Sequence, residues 1–478
     1  MRKFICTILA ATIVFPSAVV LAACEDRAER DSYRIDAEYF PEEQKLAAKM
    51  SYTFVNDFDT SLTELKFQLP ANAYREGATY APVSELYSPA AYYSGKSYGR
   101  IEVKSVSGGE FEIGGEDANI LSVRLEKEIF PDEQIEIAFE FETTLAKINH
   151  RLGVGENAVN LSGFYPVLCH YSGEGFQEYV YSYNGDPFVT ACADFEVNLS
   201  VPEQYTAICC GNVTEVAENG NKTYHVIAEN VRDIAFVLGE NYKSVQTDAG
   251  GVRVEYCYFA DQAPEETLAV AAQSLNFYSR TFGNYPYSRY VVAETDFPYG
   301  GMEYPTLSMI SSKLSEDDRT VAVAHETAHQ WWYGVVGSNQ FENAWQDEGL
   351  TDYSAALFFN ASSFGFTGDD LMRGAEKSYR DFFSVYSQLH GETNTVMTRP
   401  LTSFTSEYEY VNIAYGKSAI MFDRLKTAIG EKKFINGLKR YYETYAYKIA
   451  SPEDLSSCFG GGNAAALMRS FTDGLCVI

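Results

Sequence analysis

The sequence predicts two unlike domains, an N-terminal antiparallel β-sandwich or saddle followed by a mainly helical α+β domain. Three observations carry this. Up to residue 246, short segments alternate apolar and polar residues with near period two. They are separated by turn residues such as Asn56-Asp57, Gly108-Gly109 and Gly114-Gly115, with no helical run between them. The stretch Thr247-Asp248-Ala249-Gly250-Gly251 then breaks that texture, and apolar residues beyond it recur at helical spacing. Within the second part, residues 321–332 contain neither Gly nor Pro and are apolar on both faces, which predicts a buried helix. The division is therefore 33–246 for the β domain and 247–478 for the second.

Taken in order, the strands expected in the first part are 33–37, 46–55, 62–69, 101–106, 120–125 and 134–141, then 195–201, 223–227 and 234–238. Many short strands without intervening helices make an antiparallel sandwich or saddle. The aromatic loop 163–193 is assigned to packing between domains, and the isolated His150, His170 and His225 to structural roles. In the second part an amphipathic helix spans 264–282 and a strand 290–294. Asp317 and Asp318 cap the helix that runs to Trp332, and Asn343 caps another that runs through Glu348 to Phe359. A further helical region covers 425–445, and Gly460-Gly461-Gly462 makes a turn.

The N-terminus reads as an address. Met1-Arg2-Lys3 is basic and residues 4–20 are apolar, as in a secretory signal covering 1–23. The signal ends Leu21-Ala22-Ala23-Cys24, which resembles a bacterial lipoprotein cleavage box, so Cys24 is the expected lipidated residue and 24–32 a tether. The expected location is an exported lipoprotein, anchored to a membrane and facing outside the cytoplasm. The chain carries 66 acidic against 37 basic residues, net −29, a field that repels nucleic acid and anionic lipid surfaces. No later segment is apolar enough to span a bilayer, so the N-terminal lipid is the membrane attachment. Seven cysteines remain beyond Cys24, an odd number, with Cys458 and Cys476 a candidate pair.

The chemistry concentrates at His325-Glu326-Thr327-Ala328-His329. Residues four apart share a helix face, so two imidazoles can meet at one point with Glu326 beside them. Buried together, such groups are costly unless a divalent cation satisfies them. Zinc fits imidazole and carboxylate ligands, and a catalytic site takes three protein ligands and leaves a fourth position to water. Glu348 is the candidate third ligand, from the helix that follows, and Glu326 the base. Asp352, one turn after Glu348, is placed to accept the free N–H of a ligating histidine.

His325-Glu326-x-x-His329, eighteen intervening residues, and Glu348 within Trp345-Gln346-Asp347-Glu348-Gly349 resemble the gluzincin zinc aminopeptidases, the family of aminopeptidase N and leukotriene A hydrolase. Gly300-Gly301-Met302-Glu303-Tyr304 resembles the family's Gly-x-Met-Glu-Asn segment, and Tyr415-Gly416-Lys417-Ser418 its Tyr-x-Lys-Gly segment. The resemblance implies a thermolysin-like second domain with one Zn2+ per chain. It also implies zinc-dependent removal of N-terminal residues from peptides by metal-activated water. In that reading Gly300, Gly301 and Met302 line the substrate, Glu303 binds its free α-amino group, and Tyr415 stabilises the oxyanion. Tyr410, in the same loop, is a rival for the last role. Tyr304 stands where the family has Asn, which leaves the first subsite open. Many relatives continue into a large C-terminal helical domain that this chain is expected to lack. Two other readings stand beside this one: a zinc endopeptidase using the same site, and a non-catalytic cell-surface peptide-binding protein.

Overall fold

A computed structural model describes residues 30–474. The signal, Cys24, the tether up to residue 29 and Cys476 lie outside the described residues, and the candidate Cys458–Cys476 pairing with them.

The first part is built on a seven-stranded sheet. In spatial order its strands are Asn212–Glu218, Asn221–Val231, Ala193–Pro202, Ser32–Phe40, Lys45–Val55, Gln134–Thr144 and Arg100–Val106. Lys45–Val55 shows why these residues pair: Leu46, Ala48, Met50, Tyr52 and Phe54 are buried while their neighbours are not, so one face meets a core. That core is shared with two four-stranded sheets. One is centred on Leu62–Gln68 and Ile120–Ile129, the other on Ala235–Gly239 and Val159–Ser162.

A five-stranded sheet opens the second part, in the order Lys243–Ala249, Val252–Tyr258, Arg289–Thr295, Leu307–Ser311, Gly301–Met302. Its middle strands are parallel, and the helix Pro264–Thr281 makes the crossover between two of them. Its strands Arg289–Thr295 and Leu307–Ser311 are buried on both faces, and the side chains divide by parity. Val291 and Ala293 join the β-domain core, whereas Tyr290 and Val292 join the core of the helices. The sheet is therefore the wall shared by the two domains. A buried Arg232 fastens that junction by donating to the carbonyls of Thr190, Tyr333, Val335 and Lys448.

Several expectations change. The first strand pairs parallel with Ala193–Pro202, so the large sheet is mixed. Residues 30–32 are docked and do not belong to a tether: Asp31 accepts from the Val55 N–H and the Tyr52 hydroxyl, and Ser32 begins a strand. The break at 247–251 is the tip of a hairpin, so a boundary at 247 would cut the strand Lys243–Ala249. The two glycine pairs at 108–109 and 114–115 bracket an edge strand, Gly109–Gly114, whose exposed Phe111 and Ile113 give no alternation to read. The region 425–445 holds parts of two helices, Ser418–Ile429 and Glu431–Tyr445, parted at Gly430 with φ 86°. Among the described residues no helix is long and apolar enough to cross a membrane.

Candidate active site

The motif helix is Glu316–Ala328. Ser315, not Asp317 or Asp318, is its N-cap, accepting from the Asp318 N–H, and the two aspartates lie in the first turn where the helix dipole favours them. His325 occupies the last turn and His329 the C-cap. The chain then turns at Tyr333, whose φ of 129° is held by the Arg232 bond to its carbonyl. A second helix, Gln340–Ala361, lies against the first. It is broken at Asn343, which is non-helical, and its N-cap is Asn339.

These two helices bring three acceptor atoms together. His325 Nε2 lies 3.0 Å from His329 Nε2, and each is 3.3 Å from Glu348 Oε2. The other imidazole nitrogens are committed. His325 Nδ1 is 2.8 Å from Asp352 Oδ1, and His329 Nδ1 is 2.9 Å from Asp347 Oδ1 and 3.0 Å from the Trp332 carbonyl. With Nδ1 donating, both Nε2 lone pairs face a carboxylate oxygen that itself accepts no hydrogen bond. Three acceptors converging without a donor fit a cation. Two ligands of one tetrahedral zinc, bonded at about 2.0–2.2 Å, stand about 3.3 Å apart, which matches the edges of this triangle.

The electrostatics agree. Burial opposes charge on His325, yet Asp352 and Glu348 hold its pKa up at about 10. Burial likewise opposes charge on His329, and Asp347 and Glu303 hold it well above the ordinary imidazole value. Burial would raise Glu348, but the two imidazoles keep it well below the usual carboxylate range. This point in the protein calls for positive charge, which zinc would supply with His325, His329 and Glu348 as its ligands.

Tyr415 comes from a separate element. Residues Val411–Lys417 form a π-helical turn between the short helix Glu407–Tyr410 and Ser418–Ile429, so Tyr410 and Tyr415 sit on a helix and not on the expected loop. The Tyr415 hydroxyl donates to Glu348 Oε1 at 2.6 Å, and its ring stacks on His325. Tyr410 instead packs its hydroxyl against Gly185. Lys417 is fully buried and donates to the carbonyls of Thr395 and Phe471.

Glycine sets two close approaches here. A Cβ at Gly301 would stand 2.5 Å from Glu326 Oε1, so the edge strand Gly301–Met302 can lie on Glu326 only without a side chain. A Cβ at Gly349 would stand 1.8 Å from Ser418 Oγ, at the crossing that carries Tyr415 to Glu348. Gly349→Ala is expected to cost about 1–3 kcal/mol of stability by overpacking, measured by denaturant unfolding. Adding Ser418→Gly should recover much of it.

A cavity of about 290 Å³ opens over these groups, lined by both domains. Glu303 is buried at its side with Oε1 accepting no hydrogen bond. Burial pushes its carboxyl well above the usual range, and the nearby Asp186 adds to the shift. Burial also raises Glu326, against the opposing imidazoles, to about 7. Met302 and Gly300 line the same cavity, and no neighbour crowds a Cβ at Gly300.

Four participants are not indicated by the sequence. Asp347 holds His329, and two ligating histidines needing two acceptors would have pointed to it beside Glu348. Asp186 and Arg151 form a buried ion pair lining the cavity, and no sequence signal marks either. Tyr183 of the aromatic loop lines the cavity too, while Tyr179 packs on Phe341 as interface packing requires. His150 is buried against the Tyr74 hydroxyl and His225 pairs with Asn198, both structural. Because Asp347 is buried and Asp352 partly exposed, Asp347→Asn should weaken zinc binding more than Asp352→Asn. Both losses should fall within roughly 10–100-fold in chelator competition.

Residues 266–472 match the model of the peptidase family M1 domain. Human aminopeptidase B is 28% identical over 275 residues, covering 54% of this chain and 40% of its own length. Human endoplasmic reticulum aminopeptidase 2 is 25% identical over 257 residues, 50% of this chain and 26% of its own. Leukotriene A-4 hydrolase of Xenopus laevis is 24% identical over 278 residues, 54% and 43%. The chain thus spans less than half the length of these curated relatives. The crystal structure of an M1 zinc metallopeptidase from Deinococcus radiodurans superposes with a TM-score of 0.65 over 94% of each chain at 18% identity, which shows a common two-domain fold. Residues 266–472 match a peptidase family M1 domain, and over that stretch the chain is similar to the gluzincin aminopeptidases.

Proposed function

We propose that the protein is a zinc-dependent aminopeptidase that removes N-terminal residues from peptides. The observation that carries this reading is the triangle of His325, His329 and Glu348 with two further buried carboxylates, Glu326 and Glu303, grouped about the same imidazole. When bound there, zinc supplies Lewis-acid chemistry, polarising a peptide carbonyl and acidifying a water. The residues divide the remaining work. Glu303 pairs with the substrate's α-ammonium and so fixes the scissile bond one residue from the chain's beginning. Glu326, poised near neutral pH, accepts the proton of the attacking water and returns it to the leaving amine. The Tyr415 hydroxyl donates to the oxyanion that forms on the carbonyl oxygen.

Peptides with a free N-terminus should be shortened one residue at a time. Their N-acetylated counterparts should react slower by roughly ten- to hundredfold, the worth of one hydrogen bond to a charged group. Chromatography of both peptides after digestion checks this, and internal cleavage of the acetylated peptide at comparable rate would favour an endopeptidase.

We further propose that the enzyme works outside the cytoplasm, held to a membrane through a lipid on Cys24. The basic start, apolar run and Leu21-Ala22-Ala23-Cys24 support this. Cys24→Ser should move the protein from the membrane to the soluble fraction on cell fractionation.

A further inference from the structure

A second cavity, of about 400 Å³, lies where the loops after Leu152–Val154 and Ala235–Gly239 meet the end of the strand Val252–Tyr258. It shares no lining residue with the active-site cavity. Three half-buried rings line it, Tyr205, Tyr242 and Phe259, with two exposed carboxylates, Glu156 and Glu240, and no lysine or arginine. Tyr242 and Phe259 make a corner: their ring centroids are 5.6 Å apart and their planes stand at 78°.

The walls are held by the fold itself. The Tyr242 hydroxyl donates to the Glu294 carbonyl at 2.6 Å, and a Cβ at Gly239 would stand 2.5 Å from the same ring, so glycine lets the ring press against the backbone. The Phe259 N–H donates to the buried Glu294 carboxylate. The loop carrying Glu156 is fixed by Asp296, which accepts from the Asn157 side chain and from the Asn157 and Ala158 N–H groups. Little ordering therefore remains to be done when a ligand enters.

The charge of the cavity selects a cation. Two lysines stand nearby without lining it: Lys313 pairs with Glu156 at 3.3 Å, and Lys222 donates to the Tyr205 carbonyl. Burial, and then the charge of the adjacent Glu240, push the Tyr205 hydroxyl pKa up. Among the described residues the groups able to hold a metal ion are all at the active site, so this cavity offers no metal its ligands. Aromatic faces attract organic cations instead, most strongly where the cation sheds its water. A quaternary ammonium carries its charge on methyl groups and has no hydrogen bonds to lose.

We propose that this cavity binds a quaternary ammonium group of the choline type, its methyl groups against the aromatic corner and its charge facing Glu240. The site does not depend on the proposed peptidase function.

The test titrates the full chain with choline chloride at constant ionic strength, read by saturation-transfer proton NMR. The expected result is saturable binding with a Kd on the order of 1 mM. It should weaken by roughly fivefold or more in Phe259→Leu and in Tyr205→Leu, and also in Glu240→Gln. Three variants keep the test open should one fail to fold, as judged by circular dichroism. The uncharged isostere 3,3-dimethylbutan-1-ol should bind at least about tenfold more weakly than choline. Sedimentation with phosphatidylcholine vesicles separates the sources. Association released by excess choline would identify a lipid head group, and choline binding without association a free small molecule; both support the site. Choline that fails to saturate would overturn the proposal, as would the isostere binding equally well. Binding unchanged in all three folded variants would overturn it too, as scattered surface acids of this acidic protein would give.

Discussion

Glu326→Gln is expected to lower kcat by roughly 10²- to 10⁴-fold while the protein keeps its zinc. Glutamine preserves the shape and packing of the side chain, including its contact with the backbone of Gly301, but cannot take a proton. Glu326 is absent from the triangle of His325, His329 and Glu348, so the metal should remain. The combination of lost turnover and retained metal separates a proton carrier from a ligand: a ligand variant would lose both. Steady-state kinetics on an aminoacyl fluorogenic substrate, with elemental analysis of the same sample, reads the two quantities together. Activity unchanged in this variant would leave the mechanism without its base.

Tyr415→Phe should lower kcat by about 10²- to 10³-fold, the usual cost of removing one oxyanion donor. KM should change far less, because the bond strengthens only as charge develops on the carbonyl oxygen. The structure gives the reason for choosing Tyr415 over Tyr410. Both flank the cavity, but only Tyr415 directs its hydroxyl to Glu348, at 2.6 Å, while that of Tyr410 lies against Gly185. Tyr410→Phe should therefore have a small effect on kcat. Comparable losses in the two variants would mean that the hydroxyls act together or only hold the cavity in shape.

What could be read beforehand follows from the range of each interaction. His325, Glu326 and His329 are legible because helix geometry alone places residues four apart on one face. Glu348 and Asp352 are legible because a second helix after a short turn has few ways to lie. Glu303 and Tyr415 were reached through resemblance, and no local pattern indicates where they converge. Asp186 and Arg151 were hidden because they meet from two segments of the β domain, one of them inside an aromatic loop without periodicity. The same limit explains the sheet. Alternation marks Ser32–Phe40 as a strand, but its parallel partner Ala193–Pro202 is distant in sequence and adjacent only in the fold. Gly109–Gly114 escaped for the opposite reason, since an exposed edge has no buried face to impose a period.

Side chains from two neighbouring helices are placed to hold one zinc. Anomalous diffraction at the zinc edge from crystals of the purified protein tests it directly. The expected result is a single strong peak per chain, about 2.0–2.2 Å from His325 Nε2, His329 Nε2 and a carboxylate oxygen of Glu348. A peak centred elsewhere, or none from zinc-replete protein, would contradict it.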